Sequence, residues 1–144
     1  MDTYNTEFNK DDPHPGNWEK MYVLVRYWRS DLEFYLEDLN FLTKLVKKYS
    51  IWVKRTDNSE EVEKMSAELQ DIIRHGKALK AKLEEHQSKL AGLIDHKSNN
   101  SEVTEIEHEA LENEISEFVK NFRANRRNVF KVSEKVLDSE NLSI

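Results

Sequence analysis

One stretch of the sequence, residues 17–55, constrains the fold of this chain more than any other. When Trp18 is assigned to heptad position a, every a and d position across five heptads is apolar or aromatic. The a positions are Trp18, Val25, Leu32, Leu39, Val46 and Val53, and the d positions are Met21, Trp28, Tyr35, Leu42 and Tyr49. Because a strand alternates with a period of two, this spacing predicts one long helix with a continuous inward-facing seam.

The composition agrees with long helices. The 144 residues include only three glycines and two prolines, and 35% of them are charged. These figures are typical of helical chains, and the length is sufficient for one domain with its own core. Because the chain has no cysteine, disulfides and thiolate chemistry are excluded.

Two further helices are predicted after the first, over about 59–96 and 101–137. The breaks between the helices are short and polar, which places consecutive helices antiparallel. We therefore expect an all-α fold, an elongated antiparallel up-down-up three-helix bundle of coiled-coil type, as a single domain over 17–137. Residues 1–16 and 138–144 are expected to form an N-terminal and a C-terminal tail.

The expected caps and the charge pattern agree with this topology. Asn17 is the expected N-cap of the first helix, and Ser101 is that of the third. Acidic residues lie level with basic residues along most of an antiparallel pairing of the second and third helices. Opposite charges beside a coiled-coil seam select register and orientation, although each surface pair contributes only about 0–1 kcal/mol.

Several classes of function are disfavoured by the sequence. It has no Ser/His/Asp nucleophile pattern, no glycine-rich phosphate loop and no Walker motif, so we expect no enzyme, no cofactor and no small-molecule substrate. A net charge of −6 opposes binding to nucleic acid or to an anionic membrane. The densest basic cluster, Arg123, Arg126 and Arg127, is expected to pair with the acidic half of the second helix. Without a long apolar run or a signal-peptide pattern, a cytoplasmic protein is expected.

Polar residues at seam positions form the first candidate site. His86 and His108 fall near one level of the antiparallel second and third helices, and Glu112 is one turn after His108. Two histidines and a carboxylate in a dry core could hold zinc or iron, so a ligand-binding or metal-binding bundle is the alternative function. A di-metal site needs further carboxylates, and we therefore favour a polar layer near Trp28 that fixes register. Asn125 is interpreted in the same way.

Gly76 also interrupts a seam, in the middle of the second helix. A glycine there costs about 1 kcal/mol relative to alanine. At its level the third helix carries Phe118 and Phe122, so we interpret Gly76 as a notch that admits a phenylalanine ring, in preference to a hinge or a ligand gap.

The second candidate site is an aromatic stripe, Tyr27, Phe34 and Phe41, which recurs every seven residues on the first helix. These residues occupy position c, about 200° round the helix from position a, where a simple bundle should be polar. A stripe of this kind, about 21 Å long at the helical rise, is typical of a partner surface. Three g positions connect it to the core face, and they are Leu24, Leu45 and Trp52.

This stripe predicts a non-enzymatic protein that acts through protein–protein interaction, with a homodimer through the first helix as the simplest assembly. The alternative is intramolecular, because Tyr4 and Phe8 of the N-terminal tail could fold back and cover the stripe.

Overall fold

Three long helices account for every residue that the structure describes. A computed structural model of the chain describes α1 (Gly16–Val53), α2 (Ser59–His96) and α3 (Glu102–Leu142), with the side chains in them except those of residues 16, 52, 53, 136 and 139–142. The predicted all-α three-helix bundle is therefore confirmed. None of these helices has a stretch apolar and long enough to cross a membrane.

The predicted ends of the helices differ from the observed ones at two places. α1 begins at Gly16, so Asn17 lies inside the helix as a buried residue and is not the N-cap. α3 continues to Leu142, five residues beyond the predicted end, because residues 138–142 contain no glycine or proline to interrupt the backbone hydrogen bonds. The predicted cap Ser101, with Tyr4 and Phe8, lies outside the described residues.

The predicted seam of α1 is the buried face of that helix. Of its a and d residues with described side chains, only Tyr35 and Tyr49 are half-buried. The others are buried, and they are Trp18, Met21, Val25, Trp28, Leu32, Leu39, Leu42 and Val46. The heptad spacing therefore identified the core-facing side of α1 correctly.

The helices contribute to two compact units. In the first, formed by residues up to 33 and by 78–116, ion pairs fix the helix directions. The pairs are Arg29–Glu84, Glu33–Lys80, Lys82–Glu114 and Lys89–Glu107. As residue numbers rise along one helix they fall along its neighbour, so α2 is antiparallel to both α1 and α3 here. The predicted matching of acidic with basic residues is confirmed in this unit.

The second unit contains residues 34–77 and the chain from 117 onward. In this unit Lys135 of α3 binds Glu61 near the start of α2, again as the antiparallel charge match predicts. Arg126 differs from the prediction, because its guanidinium lies 3.1 Å from the carboxylate of Asp38 on α1 and not beside the acidic part of α2. α1 and α3 run parallel, and Arg126 is long enough to reach across to the neighbouring helix.

Gly76, in the same unit, is a notch as predicted. A Cβ atom placed on Gly76 would lie 2.7 Å from Cδ2 of Leu36 and 3.0 Å from Cε2 of Phe118. Both distances are shorter than van der Waals contact, so the Phe118 ring packs where any larger residue at position 76 would have its side chain.

Candidate functional site

The three residues of the aromatic stripe lie outside the buried a/d seam of α1. Tyr27, Phe34 and Phe41 retain 50%, 64% and 54% of their surface exposed, on the uninterrupted helix α1. Residues seven apart share one helical face. Solvent-exposed phenylalanine rings at such spacing are an unfavourable surface for an isolated bundle.

In the second unit, α3 carries an exposed aromatic residue, Phe130, that the sequence analysis did not select. Phe130 is 38% exposed, and the Arg126 guanidinium lies 4.8 Å from the centre of its ring. Because Arg126 also binds Asp38, and α1 and α3 run parallel here, Phe130 lies at the level of Phe41. The sequence contained a signal for this residue, since Phe130 is aromatic and directly follows the seam residue Val129.

The other residues predicted for this surface have different environments. Leu24 is buried and belongs to the core of the first unit, so its prediction as a surface residue was wrong. Position g therefore lies on the buried side of α1 at this level. Leu45 is half-buried, and the side chain of Trp52 lies outside the described residues. Val23, one turn before Tyr27, was not predicted and is exposed.

The predicted polar layer exists in the first unit and is a direct histidine pair. Nε2 of His86 lies 3.0 Å from Nδ1 of His108, a hydrogen bond between neighbouring helices. The two residues are only 2% and 1% exposed. Trp28 of α1 stacks on the ring of His108, with the ring centres 4.9 Å apart. The level match between positions 86 and 108 is therefore confirmed.

A glutamate that the sequence analysis did not select is the carboxylate beside this pair. Oε2 of Glu107 lies 3.8 Å from Nδ1 of His86, too far for a hydrogen bond but close enough for charge attraction. Lys89 shares the same carboxylate at 3.1 Å. Burial lowers the pKa of His86 and Lys89 lowers it further, while the negative charge of Glu107 opposes them.

The metal candidates do not assemble into a binding group. Glu112 is half-buried, and no three or more His, Asp or Glu side chains among the described residues are arranged to hold a metal ion. His86 and His108 instead use the two facing nitrogens to bond each other. The space beside them is a cavity of about 290 Å³, with Lys82, Glu107 and Glu114 in its lining.

Asn125 is the polar seam residue of the second unit. It is 4% exposed, and neither its amide nitrogen nor its amide oxygen has a hydrogen-bond partner among the described residues. Both amide atoms are enclosed, although the residue also lines a cavity between α2 and α3 with Asp71 and Asn128.

Comparisons with protein-family models, curated proteins and solved structures found no significant match to this chain. The function must therefore be inferred from the exposed aromatic surface and from the buried histidine pair.

Proposed function

We propose that this protein acts through protein–protein contact, that α1 is the contact helix, and that the partner is a second copy of the chain. The observation that carries the proposal is the exposure of Phe34 and Phe41, at 64% and 54%, on a helix whose seam residues are mostly buried. Transfer of such rings from water into an interface is favourable by about 25 cal/mol per Å² of apolar area, which is the usual source of binding energy.

A second copy is the simplest partner because the spacing of the stripe is symmetric. Phe34 lies midway between Tyr27 and Phe41, seven residues from each. A two-fold axis through Phe34 with antiparallel helices would place Tyr27 of each copy opposite Phe41 of the other, which is the isologous arrangement of a C2 dimer. Glu37 and Lys44 on the same face carry opposite charges, so two copies do not face each other with a single sign of charge.

The proposal is for a binding protein without catalysis. The titratable pair with the most unusual environment, His86 and His108, is 2% and 1% exposed, and its two facing nitrogens bond each other. The polar groups of the exposed α1 face, such as Ser30 and Glu37, are exposed to solvent, whereas catalytic acids and bases are usually set in clefts that perturb them.

The test is sedimentation equilibrium of the wild type and of a Phe34→Glu/Phe41→Glu variant, with circular dichroism of both. We expect a wild-type dimer and a helical monomeric variant, since two charges forced into an apolar interface should raise the dissociation constant by more than about 100-fold. A Val103→Glu/Ile106→Glu variant is the matched control, because it makes the same change at two equally exposed positions on α3. This control should remain dimeric.

Two results would contradict the proposal. One is a wild type that is monomeric at every concentration reached. The other is a Phe34→Glu/Phe41→Glu variant that dimerises as strongly as the control. If the variant instead loses helicity, the stripe contributes to the fold of the monomer, and deletion of residues 1–12 should then destabilise the wild type.

A further inference from the structure

The hydrogen bond between His86 and His108 depends on their protonation. At 3.0 Å one of the two facing nitrogens must donate and the other must accept. A neutral pair satisfies this requirement, and so does a pair that carries one extra proton. When both rings are protonated, two N–H groups face each other, and two positive charges lie with ring centres 5.2 Å apart inside a core.

On α1 the ring that contacts the pair is that of Trp28, which stacks on His108 and cannot ionise. The next residue of α1, Arg29, pairs with α2, where its guanidinium donates to Gln87 and lies 3.5 Å from Glu84. Asp31 follows Trp28 by three residues, and burial raises the pKa of its carboxyl, which favours the uncharged form. The Trp28 contact is therefore apolar and resists a second charge.

On α3 the carboxylate of Glu107 faces His86, and it is already shared. Glu107 of α3 lies 3.8 Å from Nδ1 of His86, and Lys89 of α2 binds the same carboxylate. Lys89 also lies 3.9 Å from Glu85, the remaining acidic residue on this turn of α2. Glu107 can therefore support one proton on His86, but the lysine offsets part of its charge and leaves little to support a second.

We infer that the His86–His108 pair is a pH switch for the first unit. The packed helices accept a first proton on the pair, and uptake of the second separates the pair and loosens the segments of α1, α2 and α3 around Trp28. At neutral pH the pair joins α2 to α3, and in a mildly acidic compartment it would release them.

The sign of the effect follows from the direction of the shift. Burial holds the pKa of His86 below its ordinary value of 6.5, so below that pH the unfolded chain binds more protons than the folded one. The stability that the neutral pair contributes is complete above pH 6.5 and is lost as the pH falls through the lower pKa of the folded protein. Each additional proton bound by the unfolded chain changes the unfolding constant about tenfold per pH unit.

The experiment measures urea unfolding at pH 7.5, 6.5 and 5.5 for the wild type and a His86→Gln/His108→Gln variant. Glutamines can still hydrogen-bond each other, but they do not titrate. Between pH 6.5 and 5.5 the wild-type unfolding constant should rise about 5-fold to 30-fold more than that of the variant, the range for one to two additional protons on the unfolded chain. His96→Gln removes an exposed histidine and should follow the wild type. Equal pH dependence of the wild type and the double variant would overturn the inference.

A second measurement covers the case in which the double variant does not fold. Histidine ring resonances of the intact wild type, followed by NMR against pH, give the pKa of each histidine. We expect the second proton of the pair to bind below the ordinary histidine pKa of 6.5, together with loss of the Trp28 contact. If both His86 and His108 titrate at or above 6.5 while the helices stay packed, the pair is not a switch.

Discussion

Replacement of Gly76 by alanine tests the packing at the notch with a single methyl group. In a helix interior the change from glycine to alanine is favourable by about 1 kcal/mol, because alanine loses less backbone entropy on folding. At position 76 the new methyl would lie 2.7 Å from Leu36 and 3.0–3.2 Å from the Phe118 ring. Overpacking of this kind costs about 1–3 kcal/mol, so the net result should be a loss of roughly 0–2 kcal/mol.

Gly92 is the matched control, since it lies in the same helix and a Cβ atom there would meet nothing within 4 Å. Gly92→Ala should therefore gain up to about 1 kcal/mol, and the two variants should differ by about 1–3 kcal/mol. Urea unfolding followed by circular dichroism at 222 nm measures both. If Gly76→Ala stabilises the protein as much as Gly92→Ala does, the Phe118 ring does not occupy the notch and the packing described here is wrong.

Two further changes test the remaining polar groups. Asn125→Leu removes two enclosed amide atoms that lack hydrogen-bond partners. In urea titrations it should raise the free energy of unfolding by about 1–3 kcal/mol. An unchanged or lower free energy of unfolding would mean that the amide is hydrogen-bonded in solution. For Arg123, Arg126 and Arg127, the Asp38–Arg126 ion pair and the acidic total favour an intramolecular role, so we expect no salt-sensitive binding of DNA at physiological salt. Micromolar binding that weakens steeply with salt, and that the triple alanine variant lacks, would contradict this expectation.

The sequence predicted the fold well because one strong periodic signal determines most of it. An unbroken a/d pattern in α1 leaves a single helical face to bury, and short polar breaks leave few alternatives to antiparallel packing. The stripe residues could also be placed outside the seam, because the angular position of a residue on a regular helix follows from its residue number. The match between positions 86 and 108 followed from antiparallel numbering.

What could not be predicted depends on side-chain reach and on packing between particular helices. Glu112 lies one turn from His108 on the same helix, but the carboxylate beside His86 is that of Glu107, which adjoins His108 in the sequence and also contacts Lys89. Arg126 was assigned to the neighbouring acidic helix by charge alone, although its flexible side chain found Asp38 on α1 instead. Charge patterns select helix directions, but they do not determine which of several nearby carboxylates a long side chain contacts.

Two of the buried polar residues on α3, His108 and Asn125, received one interpretation from the sequence and have different environments in the structure. His108 meets His86 at its own level, and their hydrogen bond would be lost if α2 and α3 shifted by a turn. The amide of Asn125 forms no hydrogen bond. A group that forms no bond in the native register cannot favour that register, while a buried bond that only one register allows can do so. The interpretation as a register device, made for both positions, therefore has a physical basis at the histidine pair, and at Asn125 we expect a cost to stability that substitution should relieve.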